Sequence, residues 1–310
     1  MNSKRRIIIG TRGSKLSLVQ TEIVTKLLHA QNPLLDIEIK IIKTTGDKNM
    51  NPIPLDSIGK GWFTREIDRA LLKKTIDLAV HSLKDLSETL PPGLIISAVP
   101  QREDAREALV CTNGFTLKTL PKGAVIGTDS MRRKVQLLHK RNDIVVKSVR
   151  GNVNRRLQKL DDGEYDALLL AVAGLKRLGL EERITQYFSP TDFIPSPGQG
   201  ALAIVTRTSD TFLTPLLKKI THKQTLTAIT AERAFSAAIG GGCKLPVGAY
   251  CTWDNNALTL SGMVGSLDGN HIEKASLVGE ISKPHTLGKL LAFKLLQNAP
   301  WYTKEHRQTA

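Results

Sequence analysis

Short apolar segments alternate with segments of helical periodicity along the first two hundred residues of the chain. Residues 6–10 contain an apolar run of three isoleucines, and residues 36–43 alternate apolar with polar positions, so both segments are typical of strands. Between them, apolar residues recur at helical spacing from position 16 to position 28. Strands that alternate with helices build βαβ units, and the pattern therefore predicts an α/β fold.

A buried parallel strand is predicted at residues 78–80, which are apolar and follow a segment of helical periodicity. Four polar residues come directly after it: His81, Ser82, Lys84 and Asp85. Ligands of open α/β sheets bind at the carboxyl ends of the strands. A carboxyl group there can move a proton while an ammonium group neutralises ligand charge. A solvated Lys-Asp pair at the surface is the alternative that these residues leave open.

Three predicted strands end in polar turns that carry arginine and open a helix. The turns have the sequences GTRGS at residues 10–14, TDSMRR at residues 128–133 and RGN at residues 150–152. Ser14 is the expected N-cap of the first of these helices. Backbone N–H groups and the helix dipole favour anions at such turns, and a guanidinium adds bidentate binding of carboxylates. Any single arginine is better explained as solvated helix-surface charge, but the recurrence favours a carboxylate site.

Two other regions have different patterns. Residues 44–61 are polar and interrupted by Gly and Pro, which predicts a long loop that acts as a lid. The apolar run at residues 201–205, with Pro and Gly beside it, predicts a strand that crosses between domains. The remaining chain predicts a small α+β domain, with helices from residue 223 and over about residues 286–297 and strands near residues 249–253, 258–264 and 272–278.

Composition limits the class of protein. A chain of 310 residues with 41% hydrophobic and 24% charged residues is expected to fold as two or three globular domains of a soluble protein. It has no apolar run of the length that a membrane span needs, and residues 1–6 lead into a strand without the pattern of an export signal. We therefore expect a cytoplasmic protein.

The three cysteines have neither disulfide-rich nor zinc-site spacing, so they are expected to be reduced and to bind no metal. Cys111 and Cys251 lie in apolar strand-like segments and are predicted to be core thiols. Cys243 follows three glycines, and a thiol on such a loop is accessible enough to carry a covalent group. The alternative is a small buried residue beside a glycine turn.

The net charge of +15 is compatible with three classes of partner: nucleic acid, an anionic membrane surface and a polyacidic small molecule. Residues 124–163 contain ten Lys or Arg and four Asp. Nucleic-acid sites usually interleave aromatic and basic residues, and this region offers only the nearby Tyr165. A small molecule with several carboxylates therefore fits better.

Eight motifs follow one another over nearly the whole chain: GTRGS at 10–14, GKGWF at 59–63, AVHSLKD at 79–85, RED at 102–104, RGN at 150–152, AVAGL at 171–175, GQG at 198–200 and GGC at 241–243. Through these motifs, which stand in family order, the chain resembles hydroxymethylbilane synthase, a family also called porphobilinogen deaminase.

The resemblance implies two domains like type II periplasmic binding proteins with the active site in the cleft between them, followed by a small C-terminal α+β domain. The expected boundaries are 1–100 with 200–220, then 101–199, then 221–310. The family is a transferase that adds four porphobilinogen units to a covalent dipyrromethane cofactor and releases the linear tetrapyrrole hydroxymethylbilane. It needs no metal or nucleic acid, and we expect a monomer.

The family's functional residues carry over position by position. Asp85 matches the catalytic acid, and Cys243 matches the cysteine that holds the cofactor as a thioether. The expected cofactor-binding positions are Ser82, Lys84, Thr128, Ser130, Arg132, Arg133, Arg150, Gly151 and Asn152. The expected substrate-binding positions are Arg12, Ser14, Arg150, Arg156, Ala171 and Gln199, with Lys60 and Phe63 in the lid.

Three positions depart from the family pattern. Asp129 stands where serine is usual, where it could repel a substrate carboxylate, pair with Arg132 or Arg133, or point away. Val205 replaces a common glutamate and Ser87 a common proline, but neither has an assigned role. A solute-binding protein and a basic nucleic-acid-binding protein remain the alternatives to an enzyme, and a covalent pyrrole adduct would separate them.

Overall fold

The computed structural model describes residues 6–48, 61–240, 245–266 and 268–302. The strands in these ranges are β1 (Ile7–Thr11), β2 (Ile37–Ile41), β3 (Leu78–Ser82), β4 (Leu94–Ala98), β5 (Glu107–Cys111), β6 (Val125–Gly127), β7 (Val145–Lys147), β8 (Ala167–Ala171), β9 (Gln186–Phe188), β10 (Leu202–Arg207), β11 (Val247–Asp254), β12 (Ala257–Gly265) and β13 (Ile272–Glu280). The α-helices are α1 (Lys15–Gln31), α2 (Thr45–Lys48), α3 (Arg65–Leu72), α4 (Met131–Lys140), α5 (Val153–Asp161), α6 (Val172–Arg177), α7 (Thr214–Lys219), α8 (Lys223–Ile239) and α9 (Pro284–Asn298).

The chain divides into two compact units. The first comprises Met1–Glu103 and Gly200–Leu226, and the second comprises Asp104–Gln199 and Thr227–Ala310. The predicted division into three domains, and the cleft expected between the first two, stay predictions.

The first unit is built on one sheet with the strand order β2-β1-β3-β10-β4. β1 is parallel to β2 and β3, whereas β10 is antiparallel to both β3 and β4. Ile7 and Ile9 of β1 pack in the core against Val24 and Leu28, which lie four residues apart on α1. The carboxyl ends of β1 and β3 lie at one edge of the sheet because Gly10 pairs with Ala79.

The second unit contains two sheets. The larger has the order β7-β6-β8-β5-β9, in which β6 is parallel to β7 and β8 while β5 is antiparallel to β8 and β9. This is the topology of the first unit's sheet repeated, as predicted for two similar α/β domains. The smaller is the antiparallel meander β11-β12-β13.

Helices α8 and α9 cover the small sheet with a core that includes Phe235 and Leu291. The helices approach closely at Gly288, where an added Cβ would lie 2.4 Å from the carbonyl oxygen of Ala231. The predicted α/β class with a small C-terminal α+β region is therefore confirmed. Among the described helices, none is both long enough and apolar enough to cross a membrane.

Two predicted boundaries were wrong. Strand β3 continues through His81 and Ser82, which were expected beyond its end, because both pair with β10. A short helix, Thr45–Lys48, lies within the stretch predicted as loop. The predicted lid comprises residues 44–61, and its residues 49–60 lie outside the described residues.

Besides α2, the sequence patterns missed four other short elements: β4, β9, α6 and α7. The two cysteines predicted to be core thiols are buried and free, with Cys111 in β5 and Cys251 in β11.

Candidate active site

Asp85 lies in the turn of 3-10 helix Leu83–Asp85 that follows β3. Its side chain is exposed, whereas Leu83 and Leu86 on either side are buried and anchor the turn. No other described residue forms a hydrogen bond or ion pair with the Asp85 carboxylate. The turn therefore presents a carboxyl group that can exchange protons with a ligand at the edge of the sheet.

Two other polar residues of this segment face into the protein. His81 is buried, and burial followed by the nearby positive charge of Arg12 lowers the pKa of His81 to about 4. It is therefore neutral at pH 7 and cannot supply a proton there. The hydroxyl of Ser82 accepts a 2.9 Å hydrogen bond from the amide of Gln20. Lys84, between them and Asp85, is half-buried.

Arg12 lies in the turn after β1, and the carboxylate of Asp47 holds its guanidinium in place. Arg12 Nη2 lies 2.5 Å and Nε 3.1 Å from Asp47 Oδ1, and the Phe63 ring lies 4.2 Å from the guanidinium carbon. Asp47 also accepts hydrogen bonds from the backbone N–H and hydroxyl of Thr44. Burial raises the pKa of Asp47, but the hydrogen bonds from Arg12 and Thr44 outweigh burial and lower it overall. The prediction that Ser14 caps the next helix is confirmed, since its hydroxyl accepts from Ser17 N–H.

The second unit brings its two arginine-bearing turns together. β6 is parallel to both β7 and β8, so the carboxyl ends of all three strands meet at one sheet edge. Ser130 caps α4 by accepting from Arg133 N–H, and Asn152 caps α5 by accepting from Arg155 N–H. Two helix N-termini therefore point to this edge, which is an arrangement that favours anions.

Arg132 and Arg133 are buried and share one carboxylate. Arg132 Nη2 lies 2.6 Å from Oε1 of Glu107, and Arg133 Nη2 lies 2.8 Å from Oε2. Further bonds run to backbone carbonyl oxygens of Ile194 and Leu169. Burial lowers the pKa of Arg132, an effect that the charge of Glu107 opposes. The trio carries a net charge of +1, because two guanidiniums meet one carboxylate.

Arg150 and Arg156 occupy the turn after β7 and the first turn of α5. Arg150 Nε lies 3.5 Å from Asp129 Oδ2, and the hydroxyl of Ser148 donates to Asp129 Oδ1. Asp129 thus pairs with Arg150, which none of the three alternatives weighed from the sequence included. Arg156 Nε donates a 2.8 Å hydrogen bond to Gly151 O, and Gly151 has a φ of +110°, which favours glycine there.

The other predicted residues lie at several depths. Thr128 is buried and its hydroxyl accepts from Ser130 N–H. Ala171 ends β8, at the same edge as the arginine turns. Gln199 is fully buried and its amide donates a 2.9 Å hydrogen bond to Ala105 O, so its side chain is committed to the backbone. Lys60 and Cys243, the predicted lid and cofactor-carrying residues, lie outside the described residues.

Sequence reasoning missed the carboxylates that hold the arginines: Asp47, Glu107 and, as a partner of Arg150, Asp129. Asp47 is 35 residues from Arg12 along the chain, and no spacing pattern links them. Within the described ranges, no group of three or more His, Cys, Asp and Glu side chains is placed to hold a metal ion.

Family models match both parts of the chain. Residues 7–214 match the model described as "Porphobilinogen deaminase, dipyromethane cofactor binding domain", and residues 226–297 match "Porphobilinogen deaminase, C-terminal domain". The chain belongs to the porphobilinogen deaminase family. The resemblance drawn from the motifs is therefore confirmed.

Curated relatives of the family align with almost the entire chain. The porphobilinogen deaminase of Roseiflexus castenholzii is 46% identical over 94% of this chain and 96% of its own length. That of Oceanobacillus iheyensis is 44% identical, with 94% of each chain covered. Among solved structures, a YaeC-family lipoprotein from Enterococcus faecalis V583 is 16% identical over 72% of this chain and 93% of its own, with a TM-score of 0.42.

The chemistry of the second unit's sheet edge fits the family's cofactor. Dipyrromethane carries acetate and propionate groups, which need cationic or N–H donors. Arg150 lies at this edge with 27% of its side chain exposed, and its Nε makes no hydrogen bond to any described residue. The capped N-termini of α4 and α5 supply further donors and a favourable dipole.

Proposed function

We propose that this protein is a hydroxymethylbilane synthase that joins four porphobilinogen molecules head to tail, with loss of ammonia at each step, and releases the linear tetrapyrrole. Family membership supports the overall reaction. The observation that carries the proposal is the exposed Asp85 carboxylate, which lies in the turn after β3 at the sheet edge where Arg12 follows β1. At this edge, Asp85 supplies a carboxyl group that can move protons, and Arg12 supplies a guanidinium that can bind carboxylates.

Asp85 is the proposed general acid and base. The aminomethyl nitrogen of porphobilinogen leaves as ammonia. In the ammonium form, the bond between the methylene carbon and the nitrogen breaks, the nitrogen retains the bonding electrons, and the methylene carbon stays on the pyrrole. The remaining pyrrole becomes electron-poor, and an adjacent carboxylate stabilises the partial positive charge on its N–H group. After the new carbon–carbon bond forms, the attacking pyrrole loses its α-proton, which the carboxylate accepts. His81 does not compete for this role because it is buried and neutral.

The arginine-bearing turns are the proposed binding surface for ligand carboxylates. In the first unit, Arg12 serves the incoming substrate. In the second, Ser130, Arg150 and Asn152 would hold the cofactor, with the net positive pair Arg132 and Arg133 behind them. Ser82, Lys84, Thr128 and Gly151 complete the proposed cofactor set. Ser14, Arg150, Arg156, Ala171 and Gln199 complete the proposed substrate set, so Arg150 serves both.

The bound dipyrromethane supplies the first pyrrole α-carbon that attacks a substrate. We propose Cys243 as its point of attachment, since Cys111 and Cys251 are buried in strands. We further propose that the enzyme is a cytoplasmic monomer, and the absence of disulfide-rich spacing among the three cysteines of the sequence supports a reducing compartment.

Intact-protein mass tests the proposal together with turnover. Freshly made wild-type protein is expected to carry two linked pyrroles, to consume porphobilinogen and to release ammonia. Cys243→Ser should lack the adduct and the activity, because a hydroxyl is a much weaker nucleophile than a thiolate. Cys251→Ser is the matched control and should keep the adduct.

Two outcomes would contradict this proposal. An unmodified wild-type protein that binds pyrrole carboxylates without turnover would indicate a solute-binding protein. An unmodified protein that binds nucleic acid with an affinity that falls steeply with salt would indicate a basic nucleic-acid-binding protein.

A further inference from the structure

Asp129 lies close to Arg150, whose guanidinium has a ligand-binding role in the proposed function. It lies in the turn between β6 and α4, and Arg150 lies in the turn between β7 and α5, at the same sheet edge. Asp129 Oδ2 is 3.5 Å from Arg150 Nε, and the two side chains are 28% and 27% exposed. The pair is therefore partly shielded from water while still open to a ligand.

The Asp129 carboxylate is fixed on its other side. The hydroxyl of Ser148 donates to Asp129 Oδ1, and the carbonyl oxygen of Ser148 accepts a 2.6 Å hydrogen bond from the hydroxyl of Tyr165. Ser148 belongs to the turn that carries Arg150. The negative charge is thus tied to the arginine's own turn and is not free to swing away when a ligand arrives.

The contact between the two charges is incomplete. Arg150 Nε is buried, yet it makes no hydrogen bond to Asp129 or to any other described residue. An ion pair at this separation supplies attraction, but it does not satisfy the N–H group. A second carboxylate can approach the 27% of the Arg150 side chain that is exposed, and it would then lie beside the fixed charge of Asp129.

We infer that Asp129 competes with ligand carboxylates for Arg150. The competition lowers the affinity of the site for these carboxylates and lets them exchange more readily. The inference rests on the proposed role of Arg150. A ligand carboxylate gains the attraction of the guanidinium but meets a like charge a few ångströms away, which offsets part of that gain. A moderate hold suits a site through which a growing chain of carboxylate-bearing pyrroles has to move.

The test compares substitutions at Asp129 with a matched loss of charge elsewhere. Asp129→Asn keeps the shape and an acceptor for Ser148, and Asp129→Ser removes the carboxylate altogether. Asp143→Asn is the control, because Asp143 also pairs with an arginine, Arg141, but precedes β7 at its opposite end. Circular dichroism and the melting temperature verify that each variant is folded.

Binding is measured by calorimetry on the holoenzyme. The probe is a non-reactive pyrrole that carries acetate and propionate groups and a methyl group in place of the aminomethyl group. Both Asp129 variants are expected to bind it at least about threefold more tightly than wild type, since a fixed like charge in a partly exposed site is removed. KM for porphobilinogen should fall by a similar factor while kcat does not rise, and Asp143→Asn should match wild type.

Arg150→Ala separates the failure of this inference from the failure of the proposed site. If Arg150→Ala binds the probe weakly and Asp129→Asn changes nothing in that background, the competition acts through Arg150 as inferred. If Arg150→Ala binds weakly but both Asp129 variants bind as wild type or more weakly, the inference is overturned and the proposed site stands. If Arg150→Ala binds like wild type, both are overturned.

Discussion

At the scale of single residues, the proposed carboxylate-binding arginines are held by carboxylates of the chain itself. Their partners are Asp47 for Arg12, Glu107 for Arg132 and Arg133, and Asp129 for Arg150. A long cationic side chain held by an ion pair loses less rotamer freedom when a ligand binds, which reduces the entropic cost of recognition. Asp85 differs from these residues because no described residue pairs with its carboxylate.

Replacing Asp85 with asparagine is expected to reduce kcat by at least about 100-fold, the typical contribution of a positioned acid or base. The amide keeps the shape of the side chain but cannot exchange a proton at neutral pH. Folding should be unchanged because Asp85 is exposed and its turn is anchored by neighbouring leucines. Steady-state turnover and intact mass are the measurements, with Glu88→Gln as a nearby control. A kcat within tenfold of wild type would remove Asp85 from the mechanism.

At the scale of elements, the proposed ligand-binding groups of both units lie in strand-to-helix turns. Such a turn combines a strand end fixed by the sheet with helix N–H groups that lack intrahelical partners. Ser14, Ser130 and Asn152 each cap one helix, so the turn keeps its shape while other donors stay available. Helix α3 differs from these helices because it buries the carboxylate of Asp68, and Asp68 Oδ1 has no hydrogen-bond partner among the described residues.

Asp68→Asn in α3 is expected to stabilise the protein at pH 7. Burial, together with the charge of Glu66 and against a hydrogen bond from Thr64, raises the pKa of Asp68 to about 6. The native state therefore holds this proton at a pH where the unfolded chain has lost it, and the associated stability disappears as pH rises through 6. Asparagine avoids the buried charge and should raise the free energy of unfolding at pH 7 by about 1 to 2 kcal/mol.

Denaturant unfolding of wild type and Asp68→Asn at pH 4 and pH 7 measures this effect. The difference between them should nearly vanish at pH 4, where Asp68 is mostly protonated in the native state. Glu66→Gln is the control on the same helix: burial raises the pKa of Glu66, but a hydrogen bond from Thr45 and smaller effects lower it overall. That substitution should not stabilise. An equal gain for Asp68→Asn at both pH values would contradict the account.

At the scale of the whole molecule, the net charge of +15 attracts a substrate that carries carboxylates. Two effects contribute to this attraction: guanidiniums at the binding site and the electric field of the whole charged surface. Salt screens both effects where the charges are exposed to solvent. The proposed function makes Arg12 part of the local contribution. Lys289, exposed on α9, contributes only to the field.

KM for porphobilinogen is expected to rise about three- to tenfold between roughly 50 and 500 mM KCl, because the Debye length falls well below the size of the protein. Arg12→Gln should raise KM at low salt and flatten this dependence, whereas Lys289→Gln should leave both nearly unchanged. Initial rates over a salt series provide the measurement. Identical salt slopes for the two variants would show that Arg12 contributes only as surface charge.

The sequence by itself determined the α/β class, the strand-turn-helix units and the family. Local rules carry these features: apolar periodicity reports which face of an element is buried, and a capping residue such as Ser14 acts within four residues of its partner. The motifs that identify the family are also contiguous, so they could be read without a structure. The residue-level assignments, Asp85 and Cys243 among them, stay predictions.

Only the tertiary structure decided which charges meet. Asp47 lies 35 residues from Arg12 and Glu107 lies 25 residues from Arg132, so their pairing depends on how sheets bring distant turns together. The same holds for β3, which extends through His81 because β10 returns from far along the chain to pair with it. Ion pairs and strand ends depend on neighbours in space, and the pattern of residues along one segment does not contain them.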